Sequence, residues 1–413
     1  MRVLVIGSGA REHAATWKFA KSKRISGLFI APGNAGTDVL GQNLDIDVLN
    51  NNEVIAAVKK NRIDFVFIGP EIPLANGLAD KLREEGINCF GPGEEPAKLE
   101  SSKAFSKAFM KRNNIPTADY EEFSDTEKYT NYIKGLTKKV VVKKSGLAAG
   151  KGVLESDDKD EMIQFGLNAL KDDKVVVEEF LEGFEVSIFV LSDGKNYTIL
   201  QPCTDHKKAF DGDKGPNTGG MGAITPVPWV DDELLVRIEK ETVIPTINGL
   251  NRDNLNYKGV IYIGLMISDA GPKVLEYNVR FGDPEAQIIF PTIKSDFCNI
   301  MDAITEESLD TYNIRLSDES AVCITIAADG YTGKYEKGLI AEIKQIEDNE
   351  GYIFHASTTS ENGVVKTNGG RCFTVVSKGE NTLEACENAY NIVNRVSFPG
   401  SWYRKDIARK FFK

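Results

Sequence analysis

Histidine is the scarcest chemistry-bearing residue in this 413-residue chain: there are three, His13, His206 and His355. The six cysteines, Cys89, Cys203, Cys298, Cys323, Cys372 and Cys386, are scattered, with no C-x-x-C pair and no histidine at metal-ligand spacing. That argues against a zinc site, and isolated cysteines of this kind read as reduced, buried small hydrophobes. Positive charge is also in short supply. Fifty Lys and Arg against 61 Asp and Glu leave a net charge of −11, which argues against a general nucleic-acid-binding face but allows a local basic pocket. No apolar run reaches the roughly 18–20 residues that span a bilayer. The opening "MRVLVIGSGAREHA" has no extended apolar segment of the secretory kind. The expectation is a cytoplasmic protein with neither a membrane nor a nucleic-acid partner. No internal repeat or low-complexity tract is present, and no long exposed apolar stripe, so a monomer is expected.

The chain is too long for one hydrophobic core, and two to four domains are expected. The first hundred residues alternate strand and helix. "RVLVIG", "GLFIA", "DFVFIG" and "INCFGP" read as strands, separated by helices through "EHAATWKFAKS", "NEVIAAVKKN" and "PLANGLADKLREEG". Continuous apolar strands between amphipathic helices predict a parallel sheet covered on both faces. The turns "GSGAREH", "APGNAGT", "GPEIPL" and "GPGEEP" close the strands, and ligands of open α/β sheets bind at that rim. As a dinucleotide fingerprint the first turn fails. Gly7 and Gly9 are in place, but Glu12 stands where the third glycine belongs, and the second strand ends in Ala31-Pro32 rather than an acid. A single phosphate facing backbone N–H groups and Arg11 suits this turn better.

Beyond residue 100 the pattern becomes α+β. "SSKAFSKAFMKRNNIP" reads as a helix stopping before Pro116, followed by strands, helices and the stretch "VVVKKSGLAAGKGV", residues 140–153. This is no Walker loop: Gly146 and Gly150-Lys151 are one residue too close, and Gly152 replaces the Ser or Thr. A glycine–alanine loop between antiparallel strands can still cover phosphates with backbone donors and a lysine, with Lys143 pointing under it; a plain surface hairpin is the alternative. In "LEYNVRFGDPEAQ", alternation puts Glu276, Asn278 and Arg280 on one strand face. Two oxygen donors there suit a divalent ion on nucleotide phosphates, and the arginine suits an anion. Residues 205–226, "DHKKAFDGDKGPNTGGMGAITP", are too rich in glycine and proline for a helix or regular strand. They read as a long substrate loop carrying Asp205, His206, Lys207, Asp211 and Asp213.

Taken in order, "VLVIGSGAREHA", "PGNAGT", "SSKAF", "GLAAGKGV", "EEFLEGFE", "DHKKAFDGDKGPNTGGMGA", "LEYNVRFGDPEAQ", "TNGGR" and "YRKDIA" resemble the ATP-grasp carboxylate–amine ligases over nearly the whole chain. The resemblance implies an N-terminal parallel-sheet domain (residues 1–102), an ATP-grasp domain (103–310, lid about 118–186) and a small β-rich C-terminal domain (311–413). It implies ATP-dependent joining of glycine to 5-phosphoribosylamine through a glycyl phosphate, in purine biosynthesis, with Mg²⁺ or Mn²⁺. Lys103, Lys143, Ser145, Gly146, Gly150, Lys151 and Gly152 would then surround the ATP phosphates. Glu178, Glu179, Phe180 and Leu181 would form the hinge beside adenine, and Glu185 would hold the ribose. Glu276 and Asn278 would hold the metal, while Arg280, Lys143, Asp211 and Asp213 would serve the chemistry. Gly9, Arg11, Glu12, Gly33, Asn34, Glu71, Asp205, His206, Lys207, Asn217, Thr218, Gly219, Gly220, Asp283 and Pro284 would meet glycine or the phosphoribosyl group.

Two positions depart from the family pattern. Ser145 stands where an Asp usually precedes the glycine loop, and Ala10 replaces a glycine in the first turn. The strand "GVIYIGLMIS" offers no further acidic metal ligand, so waters and phosphates would complete the shell. The C-terminal domain reads as scaffold, with Arg371, after the two glycines of "TNGGR", its one candidate contact to a phosphate or substrate. A ligase for another carboxylate and amine, or a silent nucleotide-binding module, are the competing readings.

Overall fold

The computed structural model describes residues 1–148, 152–347 and 349–412. Arg2–Gly7, Gly27–Pro32, Gln42–Asn43, Phe65–Ile68 and Asn88–Phe90 form a five-stranded parallel sheet. In space the strands run in the order 42–43, 27–32, 2–7, 65–68, 88–90. Val3, Leu4, Val5 and Ile6 are all fully buried, which is why the strand is apolar without alternation: helices cover both faces. The order reverses beside Arg2–Gly7, so the crevice at a switch point opens between Gly7-Ser8-Gly9 and Gly69-Pro70-Glu71. One expected helix is two. Glu71–Ala75 and Leu78–Glu84 are separated at Gly77, which sits at φ +72°, a conformation that costs a residue with a Cβ.

The helix expected from residue 101 runs unbroken over Lys103–Arg112 and is preceded by one not expected from the sequence. Glu94–Ser101 ends and Lys103–Arg112 begins at Ser102, whose hydroxyl accepts the Phe105 N–H at 3.2 Å, an ordinary N-cap. Tyr120–Phe123, Val175–Glu179, Val140–Lys144 and Val153–Glu155 then make an antiparallel sheet, in that spatial order. Helices Thr126–Gly135 and Lys159–Ala169 close a small separate core on it around Tyr129, Ile133, Val142 and Val177. A second antiparallel sheet orders Tyr197–Ile199, Phe184–Asp193, Lys258–Ser268 and Gly271–Asn278.

Residues 205–226 are more regular than their composition suggests. Lys208–Phe210 and Lys214–Asn217 form a hairpin, and Thr204–Asp205 and Gly222–Thr225 join the C-terminal sheet. That sheet orders 204–205, 222–225, Ser320–Ala327, Arg371–Gly379 and Tyr352–His355, with helix Thr382–Ile392 packed on it. Glycines take up the unusual backbone: Gly212 in the hairpin turn, Gly215 within its second strand and Gly220 beyond it all have positive φ.

One hydrophobic cluster joins the parallel sheet, the second antiparallel sheet and the C-terminal sheet. Phe67 and Phe90 of the parallel sheet stack at 5.0 Å, and Phe281 stacks on Phe90 at 5.9 Å and on Phe189 of the second sheet at 6.0 Å. Aromatic pairs of this kind each add roughly 0.5–1.5 kcal/mol beyond burial. Phe281 therefore anchors its neighbour Arg280 at the junction. All six cysteines are buried and free. Among the described residues no helix is long and apolar enough to cross a membrane.

Candidate active site

A cleft of about 860 Å³ runs between the two antiparallel sheets to the rim of the parallel sheet. This is ample for a nucleotide and a second small molecule. Its nucleotide-sized half is framed by Lys103, Lys107, Lys143, Leu147, Gly152 and residues 178–183. Lys143 comes from Val140–Lys144 and donates to Glu178 Oε2 at 2.9 Å and to the Leu275 carbonyl at 3.5 Å. The second contact follows from a bulge: Gly264 pairs with Glu276 but Leu265 with Val274, leaving Leu275 as the extra residue.

Glu178 also binds Lys107 at 3.1 Å, and both side chains are only 2 % exposed. Burial brings the Lys107 ammonium down to about 8 although Glu178 raises it. The two lysines in turn hold the Glu178 carboxyl below its ordinary value against the effect of burial. Burial lowers Lys103 as well, with Glu276 opposing. Lys107 was not singled out in the sequence, yet it lies four residues after Lys103 on one helix face, and that spacing was the available signal.

The glycine loop is rooted differently from the expectation for an acid at position 145. Ser145 is buried, and its hydroxyl accepts the Ala104 N–H at 3.2 Å. The charge at the root comes from Asp173, whose Oδ2 accepts the Gly146 N–H at 2.6 Å. Asp173→Ala is therefore expected to raise KM for ATP about fivefold with kcat nearly kept, the loss of one partly solvated charge-assisted bond. Kinetics with ATP varied would show this, and an unchanged KM would count against Asp173 as the root. Gly150 and Lys151 lie outside the described residues.

At the centre of the cleft stand Glu276, Asn278 and Arg280. The Asn278 amide approaches Glu276 Oε1 at 3.5 Å. Arg280 Nη2 lies 2.9 Å from Glu100 Oε1, and its Nε lies 3.4 Å from Glu71 Oε2. Burial opposes the charge of Arg280, but Glu100 and Glu71 raise its pKa further above an already high value. The Glu71 carboxyl is held below its ordinary value by Arg280 and Arg11 against burial, whereas burial wins at Glu100 and raises it. Glu100 was missed in the sequence because it sits at the end of helix Glu94–Ser101 with no motif around it. Among the described residues no group of three or more His, Cys, Asp or Glu is placed to hold a metal. Two oxygen donors facing a phosphate-sized space suit Mg²⁺, which keeps waters and phosphate oxygens as its other ligands.

The remaining half holds Asp205, Lys207, Asn217, Thr218, Gly219, Asp283, Glu285 and Arg371. Lys207 pairs with Glu185 and, at 3.3 Å, with Asp205, so the residue expected at the ribose is coupled directly to the substrate loop. Against burial, Asp205 and Glu185 hold Lys207 well above its ordinary pKa. Glu285 is buried, and desolvation together with Asp205 pushes it up to about 7. Arg371 donates to the carbonyls of Gly219 at 2.6 Å and Asp283 at 3.0 Å and lies 3.3 Å from the Asp283 carboxylate. It thereby closes the C-terminal sheet onto the cleft.

Several expected contacts lie elsewhere. Glu12 is buried beneath the first turn, accepts the Gly9 N–H at 2.7 Å and pairs with Arg11 at 2.5 Å. A Cβ at Gly7 or Gly69 would fall within 2.6 Å of its side chain. The carboxylate thus fills space that a dinucleotide would need, and Glu12 acts on Arg11 rather than on a ligand. Asn34 spends its amide on the Ser8 and His355 carbonyls and its oxygen on the Gly36 and Thr37 N–H groups. It and Gly33 shape a joint with the C-terminal sheet, outside the cleft lining. His206 points away from the cleft, as alternation between Asp205 and Lys207 requires, and burial with Lys410 and Arg404 nearby lowers it to about 3. Asp211 and Asp213 are at the hairpin tip, where Asp213 pairs with Arg404 at 2.9 Å and Asp211 accepts the Lys405 N–H at 2.8 Å. Neither reaches the reacting centre from there. Pro284 packs under Gly220. Of the hinge, Glu179 pairs with Lys273 at 2.6 Å, and Lys139 lies 3.8 Å over the Phe180 ring.

Comparison with known proteins matches this organisation. Residues 1–100 match the N domain of phosphoribosylglycinamide synthetase, residues 101–286 its ATP-grasp (A) domain and residues 321–410 its C domain. A phosphoribosylamine–glycine ligase of Clostridium acetobutylicum is 42% identical over 99% of this chain and all of its own length. A trifunctional purine biosynthetic protein of Gallus gallus is 43% identical over 98% of this chain, which spans 42% of that protein. The crystal structure of a phosphoribosylamine–glycine ligase from Thermotoga maritima superposes with a TM-score of 0.87 at 35% identity, covering 99% of this chain and 100% of that one. The biotin carboxylase domain of a Hydrogenobacter thermophilus 2-oxoglutarate carboxylase, in complex with MgADP, shares the fold alone. Its TM-score is 0.75 at 16% identity, with 97% and 91% of the chains covered.

Proposed function

The chain belongs to the phosphoribosylglycinamide synthetase family, and from that premise we propose that it is an ATP-dependent ligase joining glycine to 5-phosphoribosylamine in purine biosynthesis. The products are glycinamide ribonucleotide, ADP and phosphate. The observation that carries the reading is the continuous cleft, with lysines at one end, Glu276, Asn278 and Arg280 in the middle, and Lys207, Asp283 and Arg371 at the other. A carboxylate oxygen of glycine attacks the γ-phosphorus of ATP and ADP leaves. The amine then attacks the acyl carbon, and the C–O bond to phosphate breaks. Such transfers need positioning and charge neutralisation more than covalent help.

Lys103 and Lys143 reach the phosphates, and Arg280 neutralises charge at the transferring group. The Glu179 N–H already donates to the Asp119 carbonyl at 2.9 Å and the Phe180 N–H to the Lys139 carbonyl at 3.3 Å. Backbone reading of adenine accordingly falls to Leu181, the next residue of the hinge. Glu276 and Asn278 are the residues that would hold Mg²⁺ or Mn²⁺, whose contribution is to neutralise and align the phosphate oxygens. Arg11 and Arg371, converging from the parallel sheet and the C-terminal sheet, suit the phosphoribosyl phosphate. A monomer suffices for this cleft, since one chain supplies every residue named.

The test is ADP release with ATP and Mg²⁺, omitting glycine and freshly made phosphoribosylamine in turn, then repeating with Mn²⁺. ADP formed only with both substrates present is expected. No ADP in the complete mixture, despite ATP binding, would sink the assignment.

A further inference from the structure

The motif Tyr403-Arg404-Lys405-Asp406-Ile407-Ala408 has no part in the reaction above, yet Arg404 is among the most deeply buried charges, at 1 % exposed. Its Nε and Nη2 donate to the two oxygens of Asp406, each at 2.8 Å, and its Nη1 donates to the Lys208 carbonyl at 2.9 Å and reaches Asp213 Oδ1 at 2.9 Å. That uses the planar fork in a way an ammonium cannot reproduce. Asp406 Oδ2 also accepts the Gly212 N–H at 2.7 Å, Asp211 Oδ1 accepts the Lys405 N–H at 2.8 Å, and His206 Nε2 accepts the Ala408 N–H at 3.3 Å. Trp402 and Phe210 lie 5.7 Å apart. Ala408 makes its contact at φ +67°, a conformation that disfavours a residue with a Cβ and persists where neighbours over-determine it.

The contacts with Asp211, Gly212 and Asp213 hold the outer end of the hairpin 208–217 and that with the Lys208 carbonyl holds its base, where Lys208 pairs with Asn217; Asn217, Thr218 and Gly219 line the cleft. Beyond the motif, Phe411 lies 4.4 Å from Trp229, which in turn lies 5.3 Å from Phe184, the neighbour of Glu185. The same segment thus braces both the substrate hairpin and the strand that bears Glu185. We propose that residues 402–408 are a buckle that sets the hairpin over the cleft, with Arg404 as the positioning residue, Asp213 as its partner on the hairpin and Asp211 as the partner of the Lys405 N–H. The buckle rests on the reading of the cleft given above only for which ligand the hairpin meets.

The test uses the full chain with D211A/D213N, both changed at the exposed hairpin tip, and separately with R404K. Hydrogen exchange of amides 208–219 is expected to quicken about tenfold in both, with the parallel sheet unaffected and the melting temperature nearly kept. KM for glycine and for the amine is expected to rise about tenfold, about 1.4 kcal/mol of lost positioning, while KM for ATP stays within about twofold and kcat within about threefold. Unchanged exchange at 208–219 overturns the buckle, as does a collapse of kcat with KM unmoved, which would return Asp211 and Asp213 to the chemistry. Quickened exchange in the variants, when the wild type itself shows no ligase turnover, supports the buckle and overturns the reaction assignment instead.

Discussion

Replacement of Arg280 by lysine is expected to lower kcat about a hundred- to a thousandfold while leaving KM for ATP within about threefold. The guanidinium is fixed before any substrate arrives. Glu100 holds Nη2 at 2.9 Å, Glu71 stands 3.4 Å from Nε, and the adjoining Phe281 is stacked in the shared core. A donor preorganised in this way needs no rearrangement as charge develops, and removing one such donor typically costs a factor of 10²–10³. Lysine keeps the positive charge, so Glu100 retains a counter-ion and folding is nearly preserved, but the planar, multi-point geometry is lost. Arg280→Met makes a useful contrast. It leaves the buried Glu100 carboxylate unpaired and is expected to cost about 3–5 kcal/mol of stability as well. Steady-state kinetics beside thermal unfolding separate the two effects; an Arg280→Lys enzyme with ordinary kcat would remove Arg280 from the reaction.

A comparable effect on stability is expected from Glu178→Gln, a loss of about 3 kcal/mol or more near neutral pH together with weaker ATP binding. One carboxylate serves two buried lysines, Lys143 at 2.9 Å and Lys107 at 3.1 Å. Removing it strands both cations, and breaking a buried pair costs far more than the pair contributes relative to apolar residues. The pH dependence follows from Lys107, whose ammonium is already lowered to about 8. Without Glu178 it gives up its proton in the folded state at a lower pH still. Below about 8 the wild type therefore binds one more proton when folded than the variant does, and the deficit of the variant shrinks as pH rises towards 8, by at most about 1.4 kcal/mol per unit. Above that it levels off. Urea unfolding of both proteins at pH 6.5 and 8.5 checks the sign, and a deficit that does not shrink between them would refute the hold of Glu178 on Lys107.

The legible features are those written in local order. The buried parallel strands announce themselves as unbroken apolar runs because both faces are covered, and the succession from "GSGAREH" to "YRKDIA" identifies the family because long motifs in fixed order do not recur by chance. Failure of the dinucleotide fingerprint was also readable, from Glu12 and from the Ala31-Pro32 strand end, although the task of Glu12 was not. Only the folded chain shows that carboxylate curling under its own turn between Gly7 and Gly69.

Side-chain tasks set by long-range contact were out of reach. Lys107 and Glu178 are 71 positions apart in the sequence, and nothing local marks them as partners; Glu100 meets Arg280 only because the end of helix Glu94–Ser101 abuts strand Gly271–Asn278. The region 205–226 is instructive in the other direction. Its glycines suggested an irregular loop, but the C-terminal sheet pairs with Gly222–Thr225 and buries it, and hydrogen bonds from a distant segment outweigh weak local propensity. Asp211 and Asp213 share the composition of a catalytic loop and are drawn instead to the 402–408 segment, Asp213 to Arg404 and Asp211 to the Lys405 N–H. Local periodicity and motif order thus determine the fold class and the family, since both depend on neighbours in the chain. Which acid meets which base is decided only when sheets pack, because a charge is worth most where distant elements together exclude water from it.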